Sequence, residues 1–472
     1  MRASSSLCLA VSLIAVLACG DNATTPPPGS TVNGRVIITG PTAIVQGDVV
    51  QFQAEVQDDR GNVVPSAQMM WSLEPTTAGL VSQTGKFVGY RPGSARVVVA
   101  ADGASSAANI EIGARGLNPG ALQLLGRGSV TDRFTSDIWV HGNYAYTGTW
   151  STRSANGVPR SGNLLYVWDV SNAAQPSRTD SIAVDARTVN DVKVRADGLI
   201  GVITHEGSSD GTNGITLLDL TDPAHPTVLS RFTSSLEFGV HNAWIDGNYV
   251  YAVADGSAGG LRVVDITDPL NPDLVAQFFG GASFLHDVYV RDGLAVLSHW
   301  DAGLIILDVG SGIAGGAPAN PVEVSRVATA GGQTHNTWYW PAGGYIFVGE
   351  EDFQTPGMMH VVDVSDLRNP REVASFAVAD HPPHNFWLDE AKAILYMAWY
   401  ENGLRALDVS GVLFGRLDLQ GRQITAGIYG TGNGGCVSAA GAPTCTWAPQ
   451  LHNGLVFVSD MNSGLWIFQP SF

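Results

Sequence analysis

The stretch GLRVVDITDPLNPDLVAQF at residues 260–278 decides the fold of this chain, because close copies of it recur. GITLLDLTDPAHPTVLSRF occupies residues 214–232 and MMHVVDVSDLRNPREVASF occupies residues 358–376. Each copy consists of an apolar run, a turn rich in Asp and Asn or Pro, and a second run in which polar and apolar residues alternate. Apolar runs bounded by turn residues predict β-strands, and a spacing of about 50 residues indicates a repeat architecture.

Each repeat unit contains two further strands upstream of this stretch. In one unit the turn Asp246-Gly247-Asn248 separates an alternating run from the apolar run at residues 249–253. The units begin near Ser136, Asn190, His241, His286, His335, His384 and Trp447. Seven units of four strands predict a seven-bladed β-propeller over residues 116–472.

The repeat is cut in the middle at the two ends of the propeller region. The run at residues 464–468 is the first half of the repeat, and the missing half is LNPGALQLLG at residues 117–126. We therefore expect the N- and C-terminal strands to pair in one blade and close the ring. Closure of this kind removes two exposed sheet edges.

The repeat resembles the LVIVD-type repeat of bacterial surface propellers and lacks the Gly-His and Trp-Asp marks of WD40 blades. The resemblance covers most of residues 116–472. Insertions at residues 311–320 and 412–422 interrupt the fourth and sixth units. The outer strands of these two blades are therefore the least well defined by the sequence.

Residues 31–115 have a different pattern. Alternating runs at residues 49–54 and 95–100 predict half-buried strands. The order Trp71-Ser72, residues 78–82, Gly85 to Val88 and Gly93-Ser94-Ala95 resembles that of bacterial group 2 immunoglobulin-like domains. The resemblance implies an all-β sandwich without an inter-sheet disulfide, a module that usually serves as a spacer or in adhesion.

The N-terminus has the pattern of an export signal. Arg2 precedes a run of small and apolar residues at 7–17, which is too short for a comfortable membrane span. The sequence Val16-Leu17-Ala18-Cys19-Gly20 resembles a bacterial lipobox. The resemblance implies that residues 1–18 are a signal peptide and that Cys19 is acylated. The alternative is an ordinary signal peptide with an unrelated cysteine.

Residues 19–30 are rich in Asn, Thr and Pro and would form a tether to the bilayer. In Gram-negative lipoproteins, an aspartate after the acylated cysteine is the exception that keeps the protein from the outer membrane. Because Gly20 follows Cys19 here, the resemblance implies an exported, lipid-anchored protein at the outer membrane or cell surface. Cys436 and Cys445 bracket a Gly/Ala-rich loop, and an oxidising compartment permits a disulfide between them. The net charge of −18 makes nucleic acid a poor partner.

Histidine recurs at one position in four consecutive units, each time followed by Asn or Asp. These residues are His241, His286, His335 and His384. The other units hold Ser136, Asn190 and Ala448-Pro449 at the position that we align with the histidines. Since the first strand of a propeller blade is the innermost, the four histidines should line an arc at the mouth of the central channel.

The loops between the second and third strands should open on the same face. They carry carboxylates, imidazoles and indoles, namely His205, Glu206, Asp255, His299, Asp301, Glu350, Glu351, Asp352, Glu401, Asp460, Trp150, Trp300 and Trp399. Imidazoles inside a rim of carboxylates suit a divalent transition metal, with the four histidines as the main candidate ligands. His299, His205 and Glu350 are weaker candidates. The same mixture suits a polar ligand stacked on aromatic rings.

Two interpretations of the histidines stay open. Each ring could hydrogen-bond the backbone of the neighbouring blade, as Ser136 and Asn190 could also do, or the four could converge on a metal. We favour a recognition protein that binds a protein or glycan on the propeller face, because the anchor and the immunoglobulin-like unit suit display. The alternative is a metal-dependent enzyme, oxidative or hydrolytic, centred on the histidines. No motif identifies a catalytic residue.

Overall fold

The computed structural model describes residues 34–472, except residues 102, 117–119, 257–258, 282–283, 356, 428–435 and 437–443. The predicted leader, Cys19 and the tether lie outside the described residues. The described part contains strands and three short 3₁₀ helices, Thr76–Ala78, Pro341–Gly343 and Leu417–Leu419, which confirms the all-β prediction. No helix in this part is long and apolar enough to span a membrane.

Residues 34–113 form three small sheets around one apolar core. The first sheet contains, in order, Ala43–Val45, Ala104–Gly113, Gly93–Ala101 and Met70–Glu74. The second contains Val49–Gln51, Lys86–Gly89 and Gly79–Val81, and the third pairs Arg35–Thr39 with Gln53–Gln57. Alternate residues of the long strands point inward, so Val97 and Val99 are buried while their neighbours are not. Phe52 and Phe87 meet edge to face at the centre, with ring centroids 5.9 Å apart.

Seven further sheets, which we number ring sheets 1 to 7, account for most of the remaining described residues. From the first strand outward, ring sheet 1 contains Phe134–His141, Tyr144–Trp150, Leu164–Asp169 and Ser177–Ala183; ring sheet 2 contains Val192–Val194, Ile200–His205, Gly214–Asp219 and Thr227–Phe232; and ring sheet 3 contains Val240–Asp246, Tyr249–Ala254, Gly260–Asp265 and Asp273–Phe278. Ring sheet 4 contains Asp287–Arg291, Leu294–His299, Gly303–Asp308 and Val322–Val327, and ring sheet 5 contains Thr334–Trp340, Tyr345–Glu350, Met359–Asp363 and Arg371–Phe376. Ring sheet 6 contains Phe386–Asp389, Ile394–Ala398, Leu404–Asp408 and Gln423–Gly427, and ring sheet 7 contains Thr446–His452, Leu455–Asp460, Gly464–Pro470 and Leu122–Ser129. A separate hairpin, Thr152–Ala155 with Val158–Ser161, extends from ring sheet 1.

The ring sheets follow one another in cyclic order. The first strand of each sheet contacts the first strand of the next, and that of ring sheet 7 contacts that of ring sheet 1. Leu122–Ser129 pairs antiparallel with Gly464–Pro470, so ring sheet 7 takes its outer strand from the N-terminal side of the ring. Neighbouring sheets pack face to face on apolar side chains such as Val263 and Leu297.

Five aromatic rings close the centre of the ring. Trp139, Trp244, Tyr289, Trp338 and Trp387 form a closed cycle in which successive centroids are 4.6 to 5.9 Å apart. We call this cycle the aromatic plug. A cavity of about 50 Å³ adjoins it. Beside the plug, the buried Lys193 ammonium pairs with Asp137 and Asp191 and lies over Trp139.

The insertion after the third strand of ring sheet 6 joins the two parts of the chain. Its strand Gly415–Arg416 adds in parallel to the outer strand of ring sheet 5. Arg422 is buried and donates to the carbonyl of Gly47 at 2.9 Å, while Arg115 donates through Nε to Asp408 at 3.0 Å. The N-terminal sheets therefore rest on this insertion.

Candidate functional site

The structure brings the four repeated histidines together in one row. Adjacent ring centroids are 4.4 Å apart for His241 and His286, 4.0 Å for His286 and His335, and 4.3 Å for His335 and His384. Trp447 continues the row at 4.1 Å from His384. His286, His335 and His384 are each more than nine-tenths buried.

β-Bulges set the direction of His241 and His335, and of Trp447 at the end of the row. The register of the first strand shifts between Val240 and Ala243, between Thr334 and Asn336, and between Thr446 and Ala448. The extra residue of a bulge is re-aimed relative to the regular pleat. In ring sheet 7 that residue is Trp447, so the alignment that placed Ala448-Pro449 opposite the histidines was wrong by one residue.

Two of the histidines crosslink neighbouring ring sheets through Nδ1. His286 donates from Nδ1 to the carbonyl of His335 at 3.0 Å, and His384 donates to the carbonyl of Trp447 at 2.6 Å. Asn190 makes the equivalent bond to the carbonyl of His241 at 2.8 Å. Because Nδ1 carries the proton in these bonds, Nε2 of a neutral ring holds a free lone pair. The crosslink and a metal bond are therefore compatible on one imidazole.

Glu351 supplies a carboxylate to the middle of the row. Its Oε2 lies 3.6 Å from Nε2 of His335, and the ligand atoms of His286, His335 and Glu351 all lie within 4.8 Å of one another. Metal–ligand bonds of about 2.1 Å place ligand atoms roughly 3 to 4 Å apart. Small side-chain rotations would bring the three groups onto one ion.

Burial keeps the middle of the row uncharged. It lowers the pKa of His286 and of His335 well below the ordinary value, and it lowers the pKa of His384 to about 3. These imidazoles are neutral at pH 7, which is the form that binds metals. Burial raises the pKa of Glu351 to about 7, and the Tyr400 hydroxyl donates to its carboxylate.

His241 differs from the other three. Burial alone would lower its pKa, but the Glu206 carboxylate, 2.7 Å from Nδ1, raises it to about 9. At neutral pH His241 is thus an imidazolium paired with Glu206. The four histidines were all candidate ligands by sequence, with a purely structural role left open, and His286 and His335 are the two whose ligand atoms group with the Glu351 carboxylate.

Aromatic rings flank the row at His286 and at His384. Trp300 stacks on His286 with centroids 5.4 Å apart, and Tyr400 lies 5.0 Å from His384. Trp300 and Tyr400 occupy equivalent positions after the second strands of ring sheets 4 and 6, and both have positive φ, 30° and 45°. Bulky residues rarely adopt this conformation, and such strain concentrates at functional sites. Phe284 completes one end, 5.8 Å from His286.

The three weaker candidates lie elsewhere. His205, His299 and Glu350 are the last residues of second strands, so their side chains point away from the row. His205 hydrogen-bonds Thr216 Oγ1 at 3.0 Å, His299 donates to the carbonyl of Phe279 at 3.2 Å, and Glu350 lies 3.3 Å from Nε2 of His360. The residues that follow them in the chain face the row instead, namely Glu206, Trp300 and Glu351.

A disulfide joins Cys436 and Cys445, with Cα atoms 5.3 Å apart. The amide of Cys445 donates to Asp460 at 2.6 Å and that of Cys436 donates to Glu401 at 2.8 Å. These bonds hold the backbone that leads into Thr446–His452, the first strand of ring sheet 7, just before Trp447. The disulfide thus lies beside the end of the histidine row.

The LVIVD-repeat family model matches residues 132–183, 240–279, 285–329 and 340–378, which lie mainly in ring sheets 1, 3, 4 and 5. The chain carries LVIVD repeats. These four repeats are consistent with a repeat β-propeller. No curated protein matches the chain. A crystal structure of the computationally designed Ika8 protein is similar at 11% sequence identity and a TM-score of 0.47, over 74% of this chain and 100% of that chain.

Proposed function

We propose that this protein binds a divalent transition metal ion through His286, His335 and Glu351. The proximity of their ligand atoms, within 4.8 Å of one another, carries the proposal. Two imidazoles and one carboxylate are a ligand set used by zinc and by non-haem iron. Three protein ligands leave coordination positions open, as in catalytic rather than structural metal sites. An oxidative or hydrolytic reaction at those positions is the enzyme alternative.

We further propose that residues 116–472 form a seven-bladed β-propeller whose open face carries this site. The cyclic order of the ring sheets, the pairing of Leu122–Ser129 with Gly464–Pro470 and the LVIVD repeats support it. The sheets of the N-terminal unit and their shared core support an immunoglobulin-like sandwich over residues 31–115. The lipobox supports export and a lipid anchor at Cys19, which would hold this face outside the cytoplasm.

Recognition of a protein or glycan is a second candidate function for the same face. Phe353, 58% exposed, lies 5.1 Å from Tyr400 at the edge of the site. Phe238 is 75% exposed, and its side chain lies beside Gly256, which belongs to the loop that follows Asp255. Exposed aromatic side chains are typical anchors of binding surfaces.

Metal content decides between these functions. We expect the protein purified without chelator, or reloaded with Co²⁺, to hold about one ion per chain. His335→Ala and Glu351→Gln should each lower metal affinity by about tenfold or more. His225→Ala is the matched control, because His225 is exposed and pairs with Asp180 far from the row. Equal and weak metal uptake by all four proteins would refute metal binding and favour recognition.

A further inference from the structure

We propose that the metal site takes a small aromatic ligand with an oxygen-donor chelating group, such as a hydroxamate or a catechol. This inference rests on the proposed metal site. An ion held by two imidazoles and a carboxylate keeps open positions that water or another oxygen donor fills. The surroundings of those positions then decide what the donor is attached to.

The first wall of the site is apolar and aromatic. Phe284 is 39% exposed, and its ring meets His286 edge-on at 5.8 Å and Trp300 edge-on at 5.9 Å. Trp300 is itself stacked on the ligand His286. Exposed aromatic surface beside a metal ligand costs free energy unless another apolar group covers it. A ligand ring that packs against Phe284 would do so.

The other end of the row carries a second aromatic wall. Tyr400 lies 5.0 Å from His384 and 6.1 Å from Trp447, and its hydroxyl donates to the metal ligand Glu351. Phe353, 58% exposed, lies 5.1 Å from Tyr400. His335 and Glu351 therefore stand between two aromatic groups.

The backbone holds these walls in place at a cost. Positive φ is strained for a residue with a large side chain, and the chain adopts it at Trp300 and at Tyr400. Other ring sheets place Glu206, Asp255 or Glu351 at this position in their loops. The two strained aromatics are thus not demanded by the repeat, and they both contact the histidine row.

Two hydroxamates with the same chelating group test the inference. With the full chain loaded with Zn²⁺, titration calorimetry should show that benzohydroxamate binds at least about tenfold more tightly than acetohydroxamate, since only the former has a ring to pack. Phe284→Ser and Phe353→Ser should weaken benzohydroxamate binding by about three- to tenfold and leave acetohydroxamate binding unchanged. Both side chains are exposed, so their removal spares the core.

Leu270→Ser is the matched control, because Leu270 is 60% exposed in the turn before the outer strand of ring sheet 3. It should change neither affinity. Equal affinity of the two hydroxamates for protein that demonstrably holds Zn²⁺ would overturn the aromatic ligand and leave the metal site standing. Failure to hold Zn²⁺ at all would overturn both proposals, and the metal titration that precedes the hydroxamates tells the two failures apart.

Discussion

At the residue scale, one imidazole can serve both interpretations of the histidine repeat. His286 crosslinks two ring sheets through Nδ1, which leaves Nε2 for the proposed metal site. Asn190 makes the same kind of crosslink with an amide and has no imidazole nitrogen. At His286 and at His384 the repeat position therefore supplies a structural hydrogen bond, and the imidazole adds a second nitrogen that an asparagine lacks.

His286→Asn separates these two roles. In metal-free protein we expect its free energy of unfolding to stay within about 1 kcal/mol of the parent, because an amide can keep the bond to the His335 carbonyl. His286→Ala should lose about 1–3 kcal/mol, since the buried carbonyl loses its donor. Urea denaturation measures both. Metal affinity should fall in both variants, and full affinity in His286→Asn would exclude His286 as a ligand.

His360 predicts a loss of stability at alkaline pH. Burial alone would lower its pKa, but Glu350 at 3.3 Å and Glu372 at 2.9 Å raise it to about 9 from the ordinary 6.5. The folded state thus binds the proton more tightly than the unfolded state. This contribution is complete below pH 6.5 and is lost as pH rises through 9, by up to about 3 kcal/mol.

Urea denaturation at pH 6.5 and at pH 9.5 measures this loss. His360→Gln removes the titrating group and should flatten the dependence between these two pH values. A single mixed buffer that holds both pH values, at constant ionic strength, controls for buffer and salt effects. An unchanged slope in His360→Gln would assign the alkaline loss to other groups.

The sequence predicted part of this site because its residues carry chemical signals. The four histidines recur at one register, and Glu351 was recognised in the acidic rim. Tyr400 was missed because a tyrosine gives no metal signal, although the sequence shows its equivalence to Trp300: each lies three residues before a Gly-Leu pair of the repeat, at Gly303 and at Gly403. The pairing of His241 with Glu206 was also hidden, because two different units supply the partners.

At the element scale, the insertion at residues 412–422 shows where repeat reasoning ends. The sequence marked it as a departure from the repeat. It could not predict that Gly415–Arg416 pairs with ring sheet 5, because the partner strand belongs to another unit. Bulges cause the same difficulty, as the register at Trp447 shows, since one extra residue shifts every later position without changing the strand pattern.

Arg422 should matter more for stability than other arginines of this insertion. Its guanidinium is buried and donates to the carbonyls of Asp408, Ser410 and Gly47. Arg422→Met would therefore leave these carbonyl oxygens without this hydrogen-bond donor. We expect a loss of about 2–4 kcal/mol in the free energy of unfolding. Arg416→Met is the control, because Arg416 is half exposed and pairs with Asp418 at the surface; it should lose less than about 1 kcal/mol. Equal losses would contradict a specific role for Arg422.

At the scale of the whole molecule, the ring depends on one composite sheet. The halves of the cut repeat allowed the pairing of its two ends to be predicted from sequence, since each half is recognisable by itself. Gly464–Pro470 lies between Leu455–Asp460 and Leu122–Ser129 and pairs with both. The first strands of all seven ring sheets then contact one another around the centre.

Ile467→Pro tests that closure. Proline within a strand paired on both sides removes a ladder hydrogen bond and fits the sheet poorly, so we expect a loss of about 3 kcal/mol or more. Protease cleavage of the segment around residues 122–129 should accelerate, because that strand loses its partner. Ile467→Val controls for the lost side-chain volume and should cost about 1 kcal/mol. Unchanged protection of residues 122–129 would show that the ring holds without this pairing.

Pairing of Leu122–Ser129 with Gly464–Pro470 also has a consequence for synthesis of the chain. Ribosomes make residue 122 long before residue 470, so the earlier strand must wait unpaired while more than three hundred residues follow it. During that time the unpaired edge of this strand can hydrogen-bond a wrong strand, including one from another nascent chain. Chaperone capture or secretion before folding would shield it, and any release of incomplete chains would yield arcs that stick to one another.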